Sequence, residues 1–269
     1  MNFSVLMSVY YKENPIWFKE ALNSVFNQTV LPEEIVLIRD GKLTQELDSV
    51  IADFEKRYPI FNIITNDTNL GLGLSLQKGV LACSNEIIAR MDTDDIIPST
   101  RFEKELEMIE NGYDLVGAWM VVFDETIDNK IALKKYPEHH DDIVKYAKRR
   151  SPVCHPACMM RKKAVLAAGN YTHCPYFEDY PLWVRMIMSG ARFYNIQEVL
   201  YYLRTTDGQI QRRGGLKYLR NELSVSYQFY KMGFYSFSDL VTNCCIRSIA
   251  RLSPEILRKV LYKKIWNTP

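Results

Sequence analysis

The stretch Glu86–Phe102, EIIARMDTDDIIPSTRF, sets residues suited to burial directly against three carboxylates, Asp92, Asp94 and Asp95. An ionised carboxylate taken out of water is costly unless a cation compensates it, and three at close range repel one another. The run therefore reads as a buried strand that ends at a charged site. Carboxylates at i and i+2 of an extended chain point the same way, and hard oxygen ligands of this kind suit Mg2+ or Mn2+ rather than a soft metal. Such ions typically join a few protein oxygens to phosphates. The ordinary use of an acid here, capping the helix RFEKELEMIENG that follows, needs only one residue, and Ser99 is expected to do it.

Upstream, the same pattern repeats. SVLMSVY (Ser4–Tyr10) is a short buried-type strand, and Asn14 with Pro15 opens an amphipathic helix running to about Asn27. EEIVLIRDG (Glu33–Gly41), FNIITN and EIIARMD are further strands, separated by helices over Thr44 to Arg57 and roughly Ser75 to Leu81. Strands alternating with helices of this length predict βαβ units and an α/β fold on a mostly parallel central sheet, with ligands at the carboxyl ends of the strands. Those ends carry Ser8, Tyr10 and Glu13; Asp40 and Gly41; Asn66, Asn69 and Gly71; then Arg90, Asp92, Thr93, Asp94 and Asp95. Asn69 and Gly71 serve equally well as turn formers.

The second half is more mixed. DLVGAWMVVF (Asp114–Phe123) is a long strand, HDDIVKYAKRR a short charged helix, and CHPACMMRKKAVLAAGNY a strand turning into a helix that stops at Gly169. Glu178 and Asp179 stand at the entry of another helix ending at Gly190, and RFYNIQEVLYYLR reads as two short strands. From Leu216 the chain reads as wholly helical, with nine Lys/Arg against three acids on an otherwise mildly acidic body of net charge +2 overall. In PEILRKVLYKKIW the apolar and basic residues fall on different faces, as in an interfacial helix or one packed on the body with its basic face in water. No apolar run is long enough to span a membrane, and the N-terminus reads as a first strand rather than a signal peptide. The six cysteines form no CxxC pair and suit a reducing compartment; Cys154, His155, Cys158, His173 and Cys174 cluster in sequence, without the paired spacing typical of zinc.

Seven stretches in order, FSVLMSVYYKENP, FNQT, EIVLIRDG, NLGLGLSLQKGV, IARMDTDDI, HPACMMRKKAVLAAGNY and FEDYPLWVRM, resemble family 2 glycosyltransferases of the GT-A fold, especially those that build bacterial surface polysaccharides such as O-antigen. The resemblance covers about residues 3 to 204. It implies a UDP-sugar donor, Mn2+ or Mg2+, and transfer with inversion. Ser8, Tyr10, Glu13 and Asp40 would line the base and ribose, with Asn69, Gly71, Arg90 and Thr93 also on the donor side. Asp92 would meet the ribose or donor sugar, Asp94 would bind the ion, and Asp95 would support it from behind. Asp179 would be the base that accepts the acceptor's proton, with Glu178 its neighbour; otherwise these two acids serve the helix dipole.

On this likeness residues 1–100 form the nucleotide-sugar half, 101–210 the acceptor and catalytic half, and 211–269 a basic helical extension. Many relatives carry an Arg-x-His element after the late strand; here Arg204, expected among the donor contacts, has Thr206 where the histidine would fall, so Arg212 or Arg213 is expected to engage the diphosphate. His155 either faces the acceptor or is a satisfied structural histidine. The QxxRW signature of processive synthases is absent, which predicts addition of one sugar per acceptor; the resemblance implies that this sugar is a hexose or N-acetylhexosamine, galactose or glucose favoured, and that it passes to a lipid-diphosphate-linked saccharide. The expected setting is the cytoplasmic side of the cell membrane, with the basic helices on an anionic surface and no nucleic-acid partner. A catalytically silent nucleotide-sugar scaffold is the competing reading. A Mg2+-dependent phosphotransferase fits less well, because its DxD belongs on the first strand.

Overall fold

The short buried strands and intervening helices of the first hundred residues assemble as their patterning dictates. In the computed structural model, which describes residues 1–205 and 215–253, β1 (Phe3–Val9), β2 (Glu34–Asp40), β3 (Phe61–Asn66) and β4 (Ile87–Arg90) run parallel in the order β3-β2-β1-β4. Helices α1 (Pro15–Phe26), α2 (Gln45–Arg57) and α3 (Leu72–Ala82) connect them. α1 starts where the Asn14 side chain accepts the Ile16 N–H at 2.9 Å, with Pro15 in the first turn, where a missing N–H costs nothing. α2 is capped by Thr44, with acids in its first turn and Lys56 and Arg57 in its last, both favoured by the helix dipole.

Past β4 the sheet continues through β7 (Met159–Arg161), antiparallel to β4, to β5 (Leu115–Asp124), whose other edge pairs in parallel with β8 (Phe193–Arg204). β6 (Thr126–Lys134) forms a hairpin with β5. Helices α4 (Arg101–Glu110), α5 (His140–Ala147), α6 (Lys162–Ala167) and α7 (Tyr180–Met188) flank this part, and α8 (Leu216–Lys231) and α9 (Phe237–Leu252) follow β8. The sheet is mostly parallel, with a helical extension, as expected.

Alternation along the strands divides the core between the two faces of the sheet. Val5, Met7, Ile35 and Leu37 pack with Phe18, Leu22, Phe54 and Phe102 from α1, α2 and α4. Leu6, Val36 and Ile38 pack with Leu76 and Val80 of α3 and with Trp183 and Met186 of α7. A third cluster, including Phe177, Tyr180, Tyr218, Val225 and Phe229, docks α8 onto α7.

Four expectations are corrected. β8 is one strand of 12 residues, interrupted only by a register shift against β5, not two strands. α3 begins at Leu72, a turn earlier than its side chains suggest, with Gly71 at its cap. Ser99 does not cap α4: Thr100 occupies that position without a side-chain cap bond, and the Ser99 carbonyl instead accepts the Thr29 N–H at 2.8 Å. The chain from Leu216 is broken into two helices by a turn at Gly233, where φ is +81°. Thr206, Arg212, Arg213 and the basic segment 254–266 lie outside the described residues.

Candidate active site

Asp40 ends β2 buried, at 3% exposure, and ties down the loop that leads into α3. Its two oxygens accept the Leu70 and Gly71 N–H groups at 2.7 and 2.9 Å, and Asn66 Nδ2 donates to Oδ1 at 2.9 Å. Asn66 in turn donates to Ser75 Oγ and accepts from Lys78 Nζ at 2.7 Å, so α3 brings an ammonium group to the same strand ends. Asn69 Nδ2 lies 3.4 Å from the Asp40 carbonyl. Gly41, at φ +87°, permits the close passage: a Cβ there would stand 3.0 Å from the Asn69 nitrogen. Ser8, Tyr10 and Glu13 stand at the neighbouring end of β1, where the Glu13 N–H turns back to the Tyr10 carbonyl at 3.1 Å.

The three acids of the opening stretch follow β4. Arg90 is buried, its Nη2 2.5 Å from Asp92 Oδ1, and its Nε and Nη1 have no hydrogen-bond partner among the described residues. The loop is stitched to β8: the Asp92 N–H points to the Tyr201 hydroxyl at 3.3 Å, Asp95 Oδ1 accepts the Arg204 N–H at 2.7 Å, and Ile96 and Tyr202 exchange backbone hydrogen bonds. Arg204, expected among the donor contacts, is 3% exposed and directs its guanidinium to the Asp94 carbonyl (2.9 Å), the Glu125 carbonyl (2.6 Å) and Glu20 Oε2 (2.6 Å). It holds the acidic loop in place. Thr93 is buried within that loop.

One carboxylate oxygen from each of Asp92, Asp94 and Asp95 lies within 4.8 Å of the others. Burial, and then the Asp92 charge, push the Asp94 carboxyl up to about 7, against the pull of Arg90 and Arg204. Burial and both neighbouring acids raise Asp95 well above the usual range. Three converging hard oxygens, of which only that of Asp92 belongs to a carboxylate in an ion pair among the described residues, fit a divalent Mg2+ or Mn2+ ion. The cysteine and histidine cluster does not gather: among the described residues the acidic trio is the group placed for an ion, and Cys83, Cys154, Cys158, Cys174, Cys244 and Cys245 are all free thiols.

Asp179 sits at the cap position of α7 but caps nothing; its Oδ2 instead accepts the Ser151 hydroxyl at 3.0 Å. It lines a cavity of about 710 Å3 between the sheet and α8–α9, as does His155. The His155 ring is bonded to the Tyr171 hydroxyl at 2.9 Å, and burial, aided by the Arg90 charge, holds its pKa well below the ordinary value, so the ring is neutral. Glu178 leans across the first turn of α3: a Cβ at Gly73 would lie 3.0 Å from Glu178 Cγ and 2.9 Å from the Thr172 carbonyl. Burial chiefly, with the Asp179 charge adding, raises its pKa.

A parallel sheet with acids at the end of its fourth strand and a separate acid facing a cavity invites comparison with known proteins. The family model described as glycosyl transferase family 2 matches residues 4–169. The chain belongs to that family. As a family 2 glycosyltransferase it is a transferase enzyme. It is 38% identical over 265 residues to UDP-Gal:alpha-D-GlcNAc-diphosphoundecaprenol beta-1,3-galactosyltransferase of Escherichia coli, covering 98% of this chain and 96% of that one. It is 34% identical over 264 residues to the amylovoran biosynthesis glycosyltransferase AmsE of Erwinia amylovora, covering 97% and 98%. Residues 1–349 of S. aureus TarS superpose with a TM-score of 0.68 at 15% identity, over 93% of this chain and 72% of that one. The mannosyltransferase PcManGT of Pyrobaculum calidifontis, solved with GDP-Man and Mn2+, gives 0.64 at 12% identity, over 98% and 79%. At such low identity these two likenesses speak for the shared GT-A fold alone.

Reading the sequence of this glycosyltransferase missed Lys78, Tyr201 and Ser151, each of which touches a candidate site residue. Ser75 and Lys78 fall three apart on α3, the spacing that puts both on one helix face, so that signal was available. Tyr201 and Ser151 lie 109 and 28 residues from the groups they contact, and no local pattern connects them.

Proposed function

We propose that the protein moves one galactosyl residue from UDP-galactose, with inversion, to a sugar carried on a lipid through a diphosphate, in the assembly of a bacterial surface polysaccharide. The observation that carries the reading is that two sets of acids of different character stand on different parts of one fold. The clustered trio after β4 suits a metal-bound diphosphate, and the single Asp179 faces a separate cavity. The donor and acceptor are those in the name of the E. coli relative, with which the likeness runs over nearly the whole of both chains.

Ser8, Tyr10, Glu13 and Asp40 with Asn69 and Gly71 line the nucleoside end, and Asp92, Arg90 and Thr93 the sugar end of the donor. Asp94, with Asp92 and Asp95, would hold Mn2+ or Mg2+, which supplies charge neutralisation for the departing nucleoside diphosphate. Asp179, oriented by Ser151, takes the proton from the acceptor hydroxyl as that oxygen attacks the anomeric carbon from the opposite face. Glu178 ties this segment to the α3 turn beside the donor. Neutral His155 adds a polar but uncharged wall to the acceptor side.

No helix among the described residues is long and apolar enough to cross a membrane, and the lipid acceptor is met at the cytoplasmic membrane surface, to which the basic C-terminal region binds. The decisive experiment incubates the protein with a panel of UDP-sugars and a lipid-diphosphate-linked N-acetylglucosamine, with Mn2+ or with a chelator. UDP-galactose is consumed only when acceptor and ion are both present. Turnover that survives chelation, or that needs no acceptor, refutes the reading.

A further inference from the structure

The proton acceptor at Asp179 needs room for one hydroxyl, yet the cavity before it is of the size that encloses a whole small ligand. Its wall is of two kinds. Phe177, Leu203, Ile246 and Ile249 are apolar, whereas Arg149 and Arg150 bring positive charge. Arg247 and Arg251 also border it, but both are bound to the buried carboxylate of Glu222. Arg149 is shared with Asp239 at 3.2 Å. Arg150 rests on the Tyr146 ring, 5.4 Å from its centroid, and joins no ion pair among the described residues.

Arg150 is also well placed along the chain. The next residue, Ser151, is the one that holds Asp179. Arg150, Ser151 and Asp179 all line the same cavity, so the cation and the base border one chamber. An acceptor sugar attacked through one hydroxyl keeps the diphosphate on its anomeric carbon, so the chamber that holds it has use for a base and a phosphate-binding cation together. The backbone presenting the cations is clamped by α9: Asn243 Nδ2 donates to the Lys148 carbonyl at 2.9 Å and Arg247 Nη2 to the Arg149 carbonyl at 2.5 Å. On the same helix Ile246 and Ile249 line the cavity and are also 57% and 70% exposed, so the apolar wall continues out to the surface.

We propose that this cavity is the acceptor chamber, that Arg150, supported by Arg149, binds the diphosphate joining the acceptor sugar to its lipid, and that Ile246 and Ile249 receive the first apolar segment of that lipid. The assignment rests on the acceptor class given above. A guanidinium fork matches phosphate oxygens in pairs, and a lysine in its place keeps the charge but not the fork.

The test is steady-state kinetics of the full chain with UDP-galactose and two acceptors: N-acetylglucosamine α-linked through diphosphate to an alkyl chain, and the same sugar linked to that chain directly. Arg150→Ala is expected to raise KM for the diphosphate acceptor at least tenfold, with Arg150→Lys intermediate. KM for UDP-galactose moves less than twofold, and the diphosphate-free glycoside, a poor acceptor, is equally poor with each enzyme. An Arg150→Ala variant that keeps the wild-type KM for the diphosphate acceptor overturns the assignment. So does one whose KM rises for UDP-galactose instead, since Arg150 would then serve the donor. Failure of the wild-type protein to use either acceptor overturns the acceptor class, and the chamber with it.

Discussion

Replacing Arg204 with alanine isolates what holds the acidic loop. Among the described residues the side chain makes two hydrogen bonds to carbonyl groups, Asp94 at 2.9 Å and Glu125 at 2.6 Å, and one ion pair with Glu20, whose carboxylate is 45% exposed. Hydrogen bonds involving a charged partner contribute about 1.5–3 kcal/mol each, and a half-exposed ion pair contributes only about 0–1 kcal/mol. The two carbonyl bonds therefore dominate, and Arg204→Ala should cost roughly 3–7 kcal/mol, a large part of a typical total of about 5–15. Glu20→Ala removes only the exposed partner and should cost no more than about 1 kcal/mol. Arg204→Lys, which can satisfy one of the three acceptors, falls between them. Urea unfolding of the three variants beside the wild type gives the ordering, and Mn2+ titration reports whether the loop still gathers its acids. A loss below about 1 kcal/mol for Arg204→Ala, or a larger one for Glu20→Ala, refutes the reasoning.

Raising the pH should strengthen ion binding. The Asp94 carboxyl, at about 7, lies above the roughly 3.9 of an unfolded aspartate, so between those values the folded, ion-free protein keeps a proton that the unfolded chain has released. Stability then falls as pH rises through that window, and the buried Glu105, pushed up to about 7, acts in the same direction. An ion that displaces the proton should raise Tm more at pH 7.5 than at pH 5.5, with affinity roughly tenfold or more weaker at the lower value; equal Tm rises would contradict this. Asp179→Asn should leave UDP-galactose binding near normal and cut transfer by about 10²–10⁴; a wild-type rate would show that another group takes the proton. Gly73→Ala drives a methyl group toward the Thr172 carbonyl and Glu178 and should destabilise by about 1–3 kcal/mol in urea, where no change would mean that this segment yields freely. Truncation after Ser253 removes four basic residues, Arg258, Lys259, Lys263 and Lys264, against one acid, Glu255, and should weaken binding to anionic vesicles in a salt-sensitive way; unchanged partitioning would give that segment no membrane role.

The parallel half of the fold was legible because its elements carry their own signals: short, nearly continuous buried runs in β1 and β2, and a cap at Asn14 and at Thr44. β6 was not, since TIDNKIALK is mostly exposed and has no apolar face to betray a strand. β8 is a single strand where two were expected because the polar Gln197 and Glu198 interrupt its apolar run, and the chain passes through them with a change of register against Ala118–Met120. In the candidate site, the acids were visible as residues that burial alone does not explain. Their supports were not. Glu20 lies 184 residues from Arg204, and Arg204 lies 109 from Asp95; only tertiary structure connects such pairs.

That separation sets a timetable for biosynthesis. β1 to β4 and all three acids of the loop leave the ribosome about a hundred residues before β8, an interval of roughly 5–20 seconds at ordinary elongation rates. Through that time Asp95 lacks the Arg204 N–H, Asp92 lacks the Tyr201 hydroxyl, and Ile96 has no strand to bridge. A nascent or truncated chain that stops short of residue 204 thus carries every acid of the cluster without the geometry to use them. On the proposed reading, the ability to engage a sugar nucleotide arrives late, after the segment that carries Asp179.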